Sequence, residues 1–297
     1  MNYSTEISCS LFLNEAPSDF EDSSYLFEII NNDYDDYRQR NVYVKDWFVT
    51  EIIFCHIKGS DETTRKSEWG VTATLPDKLS DSQVITFLND LCNQISYQCM
   101  MKATCQHSGF AGFSYSPVSI QIFYVDENNH KSPNTYYGCG ISSAMKQTLS
   151  IEDCFALPSE KETLSPTTLK MQVAFLAAMR SRDPVARYIL LYYLFEIIYT
   201  TSSYKKCKQN YLEGKKEKTK DADRNRGTIL FSYLYDNLGI QEYHFYGEQH
   251  ILKADILVQI IKSRNDLVHR ADQSMIEQLM YEHMIPIIKE VLKKMKI

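Results

Sequence analysis

Arg264-Asn265-Asp266-Leu267-Val268-His269 lies near the C-terminus, inside a segment from His250 to Arg270 whose apolar residues recur at helical spacing. Ala254, Leu257, Ile261 and Val268 fall on one stripe at steps of three, four and seven. Arg264 falls on the same stripe, seven residues after Leu257 and four before Val268. An arginine on the apolar face of a helix must find an anion or hydrogen-bond acceptors there. Asn265 and His269 are four residues apart, so they project from one face. Arg264 and His269 are five apart, about 140° around an ideal helix. They converge only where the arginine wraps, the helix distorts or two chains meet. The plainer arrangement is a helix end in solvent, with Asp266 and Arg270 paired at i,i+4 and His269 exposed.

The segments before this helix read as helices too. Ser165-Pro166 opens one that runs to about Ser181, with proline in the first turn where it is tolerated. Asp183-Pro184 caps the next. Its run Ile189 to Tyr199 is apolar on every side and predicts a helix at the centre of a bundle. The one charge in that run, Glu196, must be paired or neutral if buried, and Arg264 is the expected partner, either in a structural ion pair or in a site. Lys205 to Arg226 is polar and basic and predicts a long loop or a frayed hairpin tip. Lys215, Lys216, Lys218 and Lys220 are solvated surface on the plain reading. In a nucleic-acid protein they are phosphate-contacting surface, with Tyr204 and Tyr211 able to stack on bases. Arg226 to Leu238 is a further amphipathic helix closed by Gly239, and a last helix runs from near Ser274 to Lys296 with a kink at Pro286.

Residues 165–297 thus form an all-helical bundle of about five helices, and the quoted stretch sits immediately before the last of them. In that setting it resembles the Arg-Asn-x-x-x-His motif of the HEPN superfamily, helical-bundle proteins that include many metal-independent ribonucleases. The resemblance implies an endoribonuclease acting on RNA with no metal and no cofactor. It makes Arg264, Asn265 and His269 catalytic and implies a homodimer in which two motifs face each other; Glu196 supports them if its pair with Arg264 belongs to the site. It also implies a role as a toxin or as an effector of antiviral defence. The alternative, from another class, is a non-catalytic HEPN protein whose bundle serves dimerisation or binds a nucleotide or a regulatory partner.

The residue types suit the chemistry. The 2′-hydroxyl of RNA can attack the adjacent phosphorus, leaving a cyclic phosphate and a free 5′-hydroxyl. That step needs a proton acceptor, which histidine supplies near neutrality, and a cation on the phosphate, which the arginine fork supplies. A phosphate-cradling glycine loop and Cys-His or Ser-His hydrolase patterns are absent from the sequence. Asp221 and Asp223 have neither a glycine nor further ligands beside them to make a metal loop.

Residues 1–160 read differently. The first forty are acidic and tyrosine-rich and allow an irregular arm or a strand with a short helix. Val42–Val44, Trp47–Ile57, Glu68–Leu75, Val118–Val125 and Tyr136–Ile141 are strand-like, and Ser80 or Asp81 caps a helix to about Met101. This predicts an α+β domain with a mainly antiparallel sheet, taken as a sensor or regulatory domain that binds a trigger or an inhibitor. His56 and His107 within it lack partner motifs. The linker is expected within Leu157 to Pro166.

Charge separates the halves. Residues 1–164 hold 11 Lys+Arg and 23 Asp+Glu, net −12, and residues 165–297 hold 21 and 15, net +6. A polyanion is therefore expected on the second half. The eight cysteines show no C-x-x-C pair, which argues against structural zinc. No secretory signal and no apolar run of spanning length are apparent, so reduced thiols, a cytoplasmic location and no membrane association are expected.

Overall fold

The computed structural model describes residues 4–15, 26–30, 36–56, 69–102, 113–125, 131–137, 146–150, 154–161, 163–181, 183–215, 225–245, 248–270 and 273–295. The chain divides into two compact units: Met1–Ala103 with Gly112–Thr163, and Thr104–Ala111 with Leu164–Ile297. The first is a mixed α+β unit and the second is mostly helical.

The first unit is built on a six-stranded sheet in the order β3-β4-β5-β1-β6-β7. Its strands are β1 (Ser4–Glu15), β3 (Asp36–Val44), β4 (Trp47–His56), β5 (Trp69–Leu75), β6 (Phe113–Val125) and β7 (Lys131–Tyr137). Every pairing in it is antiparallel. Two further strands, β2 (Leu26–Ile30) and β8 (Lys146–Ser150), pair in parallel as a separate ladder. Alternation places Ile7, Cys9 and Leu11 of β1 and Trp69, Val71, Ala73 and Leu75 of β5 in the core. Helix α1 (Asp81–Lys102) contributes Val84, Phe87, Leu88, Leu91 and Ile95. Gln83 Oε1 accepts from both the backbone N–H and the hydroxyl of Ser80 at 2.9 Å, fixing the helix start.

Part of the first forty residues forms a strand, as one of the two expected arrangements had it, while residues 16–25 and 31–35 lie outside the described set. Ser4–Glu15 is an interior strand, pairing with β5 on one side and β6 on the other. The strand expected at Tyr136–Ile141 coincides with β7 at Tyr136 and Tyr137, and residues 138–141 lie outside the described set, as does His107. Cys154–Pro158 belongs with the sheet rather than with a linker. Gln39 donates to the Phe155 carbonyl at 2.9 Å and accepts from the Leu157 amide at 2.8 Å. The Tyr43 amide donates to the Pro158 carbonyl at 2.8 Å, and Phe155 stacks on Phe54 at 4.6 Å.

The second unit opens with α2 (Pro166–Arg180), capped by the Ser165 hydroxyl, which accepts from the Thr168 amide at 3.0 Å. Next is α3 (Pro184–Thr200), capped by Asp183, which accepts from the Ala186 amide at 2.8 Å. Most of α3 is core, but not on every side: Ile189, Tyr193 and Glu196 look outward along one edge at helical spacing. The apolar run carries one more hydrophobic face than its neighbours cover. Of the Lys205–Arg226 stretch, expected as a long loop or a frayed hairpin tip, the part to Lys215 belongs to helix α4 (Ser202–Lys215), and residues 216–224 lie outside the described set. A short helix, α5 (Arg226–Ser232), widens into a π turn at Tyr233–Asn237. Gly239 at φ +65° ends it, and the Ile240 amide returns to the Leu234 carbonyl at 2.9 Å.

A hairpin of β9 (Glu242–Phe245) and β10 (Glu248–Ile251) follows. The helix expected from His250 therefore begins later, as α6 (Ala254–Arg270), because His250 and Ile251 are paired in the hairpin. The chain ends with α7 (Ile276–Leu279), a π turn at Met280–Met284 and α8 (Ile285–Lys294). Pro286 sits in the first turn of α8, and the wide turn before it absorbs the hydrogen bond that proline cannot make. Among the described residues no helix is long and apolar enough to cross a membrane.

Candidate functional site

Helix α6 presents the quoted stretch. Its buried line is Leu257, Ile260 and Leu267, not the stripe ending at Val268, which is exposed. The steps 257, 260, 264, 267 are those of a packed helix seam, and Arg264 takes the seam position between Ile260 and Leu267. Neighbouring helices decide which of two adjacent apolar lines turns inward, and here that line includes Arg264. The Tyr188 hydroxyl of α3 pins the crossing by donating to the Ile260 carbonyl at 2.7 Å. Burial pushes that phenol's pKa up, which favours the protonated form that donates this bond.

Arg264 meets α3 twice. Its guanidinium carbon lies 5.4 Å from the centre of the Tyr192 ring, and its Nη2 is 3.7 Å from Glu196 Oε1. The Arg264 side chain is 33% exposed and that of Glu196 41%. Nη1 also donates weakly to Asn265 Oδ1 at 3.4 Å. An ion pair this long and this wet adds at most about 1 kcal/mol. Glu196 is thus a half-open carboxylate beside Arg264, rather than the sealed charge its apolar run predicts.

Asn265 and His269 are exposed on α6. Because α6 is regular helix through Arg270, His269 stays about 140° away from Arg264. One chain does not bring the two together. Asp266 and Arg270 form the expected i,i+4 pair at 3.3 Å. Lys215 closes α4, while Lys216, Lys218 and Lys220 lie outside the described residues, as do Asp221 and Asp223.

Tyr204 does not offer a stacking face. It is buried between Tyr199, at 4.9 Å, and Tyr233, at 5.5 Å. Tyr211 is half-buried. Sequence reasoning missed Tyr192, the platform under Arg264, although the steps Tyr192, Glu196, Tyr199 already placed three polar groups on one helix face. Among the described residues no group of three or more His, Cys, Asp or Glu side chains is arranged to hold a metal ion. Compared with protein families, curated proteins and solved structures, the chain matches none of them.

Proposed function

We propose that the helical unit is a HEPN-type, metal-independent endoribonuclease that works as a homodimer in the cytoplasm, with the sheet unit receiving a trigger or an inhibitor. The observation that carries this reading is the state of Arg264. It occupies a helix seam, yet its guanidinium, 5.4 Å from the centre of the Tyr192 ring, is paired only loosely and is partly open to solvent. A cation contributing so little to stability is suited to an oxyanion brought from outside.

In this reading the phosphate's non-bridging oxygens meet the Arg264 fork. His269 takes the proton from the attacking 2′-hydroxyl as the new O2′–P bond forms. The P–O5′ bond breaks, and the departing 5′-oxygen takes a proton from the histidine of the second copy. Asn265, four residues from His269 on the same face, orients that ring or donates to the phosphate. The second copy resolves the 140° separation, because each histidine then faces the other chain's arginine. A role as toxin or antiviral-defence effector follows from the resemblance.

The test is cleavage of RNA in EDTA by the purified chain, with product ends and solution mass measured together. Cyclic phosphate ends from a dimer, lost in His269→Ala, support the proposal. Products with 5′-phosphate, or activity from a monomer, reject it. One observation favours a second reading, a non-catalytic binding protein: Glu196 already engages Arg264 within its own chain. That reading expects RNA to be bound or ignored but never cut.

A further inference from the structure

Two thiols of the first unit meet in its core, and neither has a part in the chemistry proposed above. Cys99 lies in the last turn of α1, and Cys154 opens the Cys154–Pro158 segment, 55 positions later in the chain. Both side chains are fully buried. Their thiols are within hydrogen-bonding reach of each other. The residues beside them hold the two places together. Gln98, next to Cys99, donates from Nε2 to the Ala156 carbonyl at 2.8 Å. Phe155, next to Cys154, stacks on Phe54 at 4.6 Å and meets Trp69 at 5.1 Å.

A hydrogen bond between two thiols is weak and holds little. As packing, another small apolar side chain at either place would serve as well as sulfur. What two sulfurs in contact add is the capacity to be joined. Burial first, and then the Cys154 thiol beside it, push the Cys99 pKa well above the ordinary thiol value. The thiolate is the reactive form, so the closed core keeps the pair reduced and slow to react. Reaction therefore waits on opening. Helix α1 is long and packed into the core, whereas Cys154–Pro158 is a short segment tied by Gln39, Gln98 and the Tyr43 amide. The segment is the part that lifts, and it carries Cys154 to the oxidant.

We propose that Cys99 and Cys154 are a redox-sensitive dithiol that closes to a disulfide under hydrogen peroxide and bolts the Cys154–Pro158 segment to α1. In the lifted segment the Cys154 sulfur, as thiolate, attacks one peroxide oxygen. The O–O bond breaks, Cys154 becomes a sulfenic acid, and the other oxygen leaves as water with the thiol proton. When the segment settles back, the Cys99 sulfur displaces the sulfenic hydroxyl, which leaves as a second water with the Cys99 proton. The two sulfurs together lose two electrons and the peroxide gains them. The new bond closes the loop between the two cysteines, so the segment lifts far less often.

The test treats the reduced full chain with hydrogen peroxide, alkylates the remaining thiols in denaturant and maps the peptides by mass. A cross-linked Cys99–Cys154 peptide, two hydrogens lighter than its parts and released by reductant, is expected. Cys99→Ala should stop the reaction at a Cys154 sulfenic acid, caught by a cyclic dione, with no disulfide at Cys154. The Tyr43 amide donates to the Pro158 carbonyl and so reports on the segment. In the oxidised wild type it should exchange its hydrogen at least about tenfold more slowly than in the reduced protein, because the closed loop opposes opening. The mapping on wild type decides the matter should Cys99→Ala not fold. Both thiols still fully alkylated after peroxide, or Cys154 joined to Cys105, Cys139 or another cysteine instead, overturn the proposal. A Cys99–Cys154 bond that leaves the Tyr43 amide exchanging as before overturns the bolt.

Discussion

The two ends of α3 treat an arginine differently. Near its start, Arg187 is 2% exposed. Its Nε donates to the Ser181 carbonyl at 3.1 Å, its Nη2 donates to the same carbonyl, and its Nη1 donates to the Tyr281 hydroxyl. Near its other end, Arg264 reaches α3 from α6 through one long contact to Glu196 and one ring face, in partial solvent. Both guanidiniums lie by a tyrosine, at 5.9 Å from Tyr281 and 5.4 Å from Tyr192. The difference lies in how many N–H groups the fold itself engages. Arg187 ties helix ends together, whereas Arg264 is supported from one side and left open on the other.

The largest effect should come from the open arginine. Arg264→Ala is expected to slow RNA cleavage by about 10³-fold, the scale of removing one group that stabilises transition-state charge. Thermal unfolding of the same sample should show a stability change within about 1 kcal/mol. A large loss of stability there would make the two arginines alike and erase the contrast. Arg187→Ala should behave in reverse. It leaves a void and removes the donors that Arg187 gives to the Ser181 carbonyl and the Tyr281 hydroxyl, so denaturant titration should show a loss of about 3 kcal/mol.

Gly227→Ala comes next, at about 2 kcal/mol of stability, because the backbone of Val258 rather than a movable side-chain tip blocks the new methyl group. A neutral result would mean that α5 shifts on α6 to make room for the methyl group.

The smallest effect is a pH dependence remote from both arginines. His283 Nδ1 lies 2.7 Å from the Tyr243 hydroxyl, and His250 stacks on the Tyr243 ring at 5.6 Å. Burial, aided by His250, holds the His283 pKa below its ordinary value, with Glu282 working in the opposite sense. The folded state therefore prefers the neutral ring. Its contribution is complete above the unfolded value near pH 6.5 and is lost as pH falls through the lower folded value. Unfolding curves between pH 7.5 and 5 should show this decline, and His283→Gln should flatten it. A decline unchanged in that variant would assign the effect elsewhere.

What the sequence made legible follows from local chemistry. Ser165-Pro166, Asp183-Pro184 and Gly239 mark helix ends because a hydroxyl, a carboxylate and a positive φ each meet a local need. The alternation of Val42–Val44 and Trp69–Leu75 marks strands for the same reason. Ser4–Glu15 carries a similar alternation at Thr5, Ile7, Cys9 and Leu11, but its acidic surroundings obscured it and its partners are remote, up to Val125. The hairpin before α6 was hidden because Ile251 and Leu252 continue a helical-looking spacing. At the candidate site, Arg264, Asn265, His269 and Glu196 are readable as residues. Tyr192 under Arg264 is not, since it depends on how α3 and α6 cross. The outward edge at Ile189 and Tyr193 was unreadable because hydropathy reports a preference for burial, not the presence of a neighbour to provide it.

Gln39 has a consequence for the protein in concentrated solution. Strand β3 ends the sheet, and its outward amides and carbonyls would be a template for another chain's strand. The Cys154–Pro158 segment runs along that side, joined by the Gln39 amide and by the Tyr43 N–H. One side-chain amide thus stands in for a missing strand and closes the growth point. Replacing Gln39 with alanine would open that edge and invite edge-to-edge association, so the yield of non-aggregated protein depends on one side-chain amide.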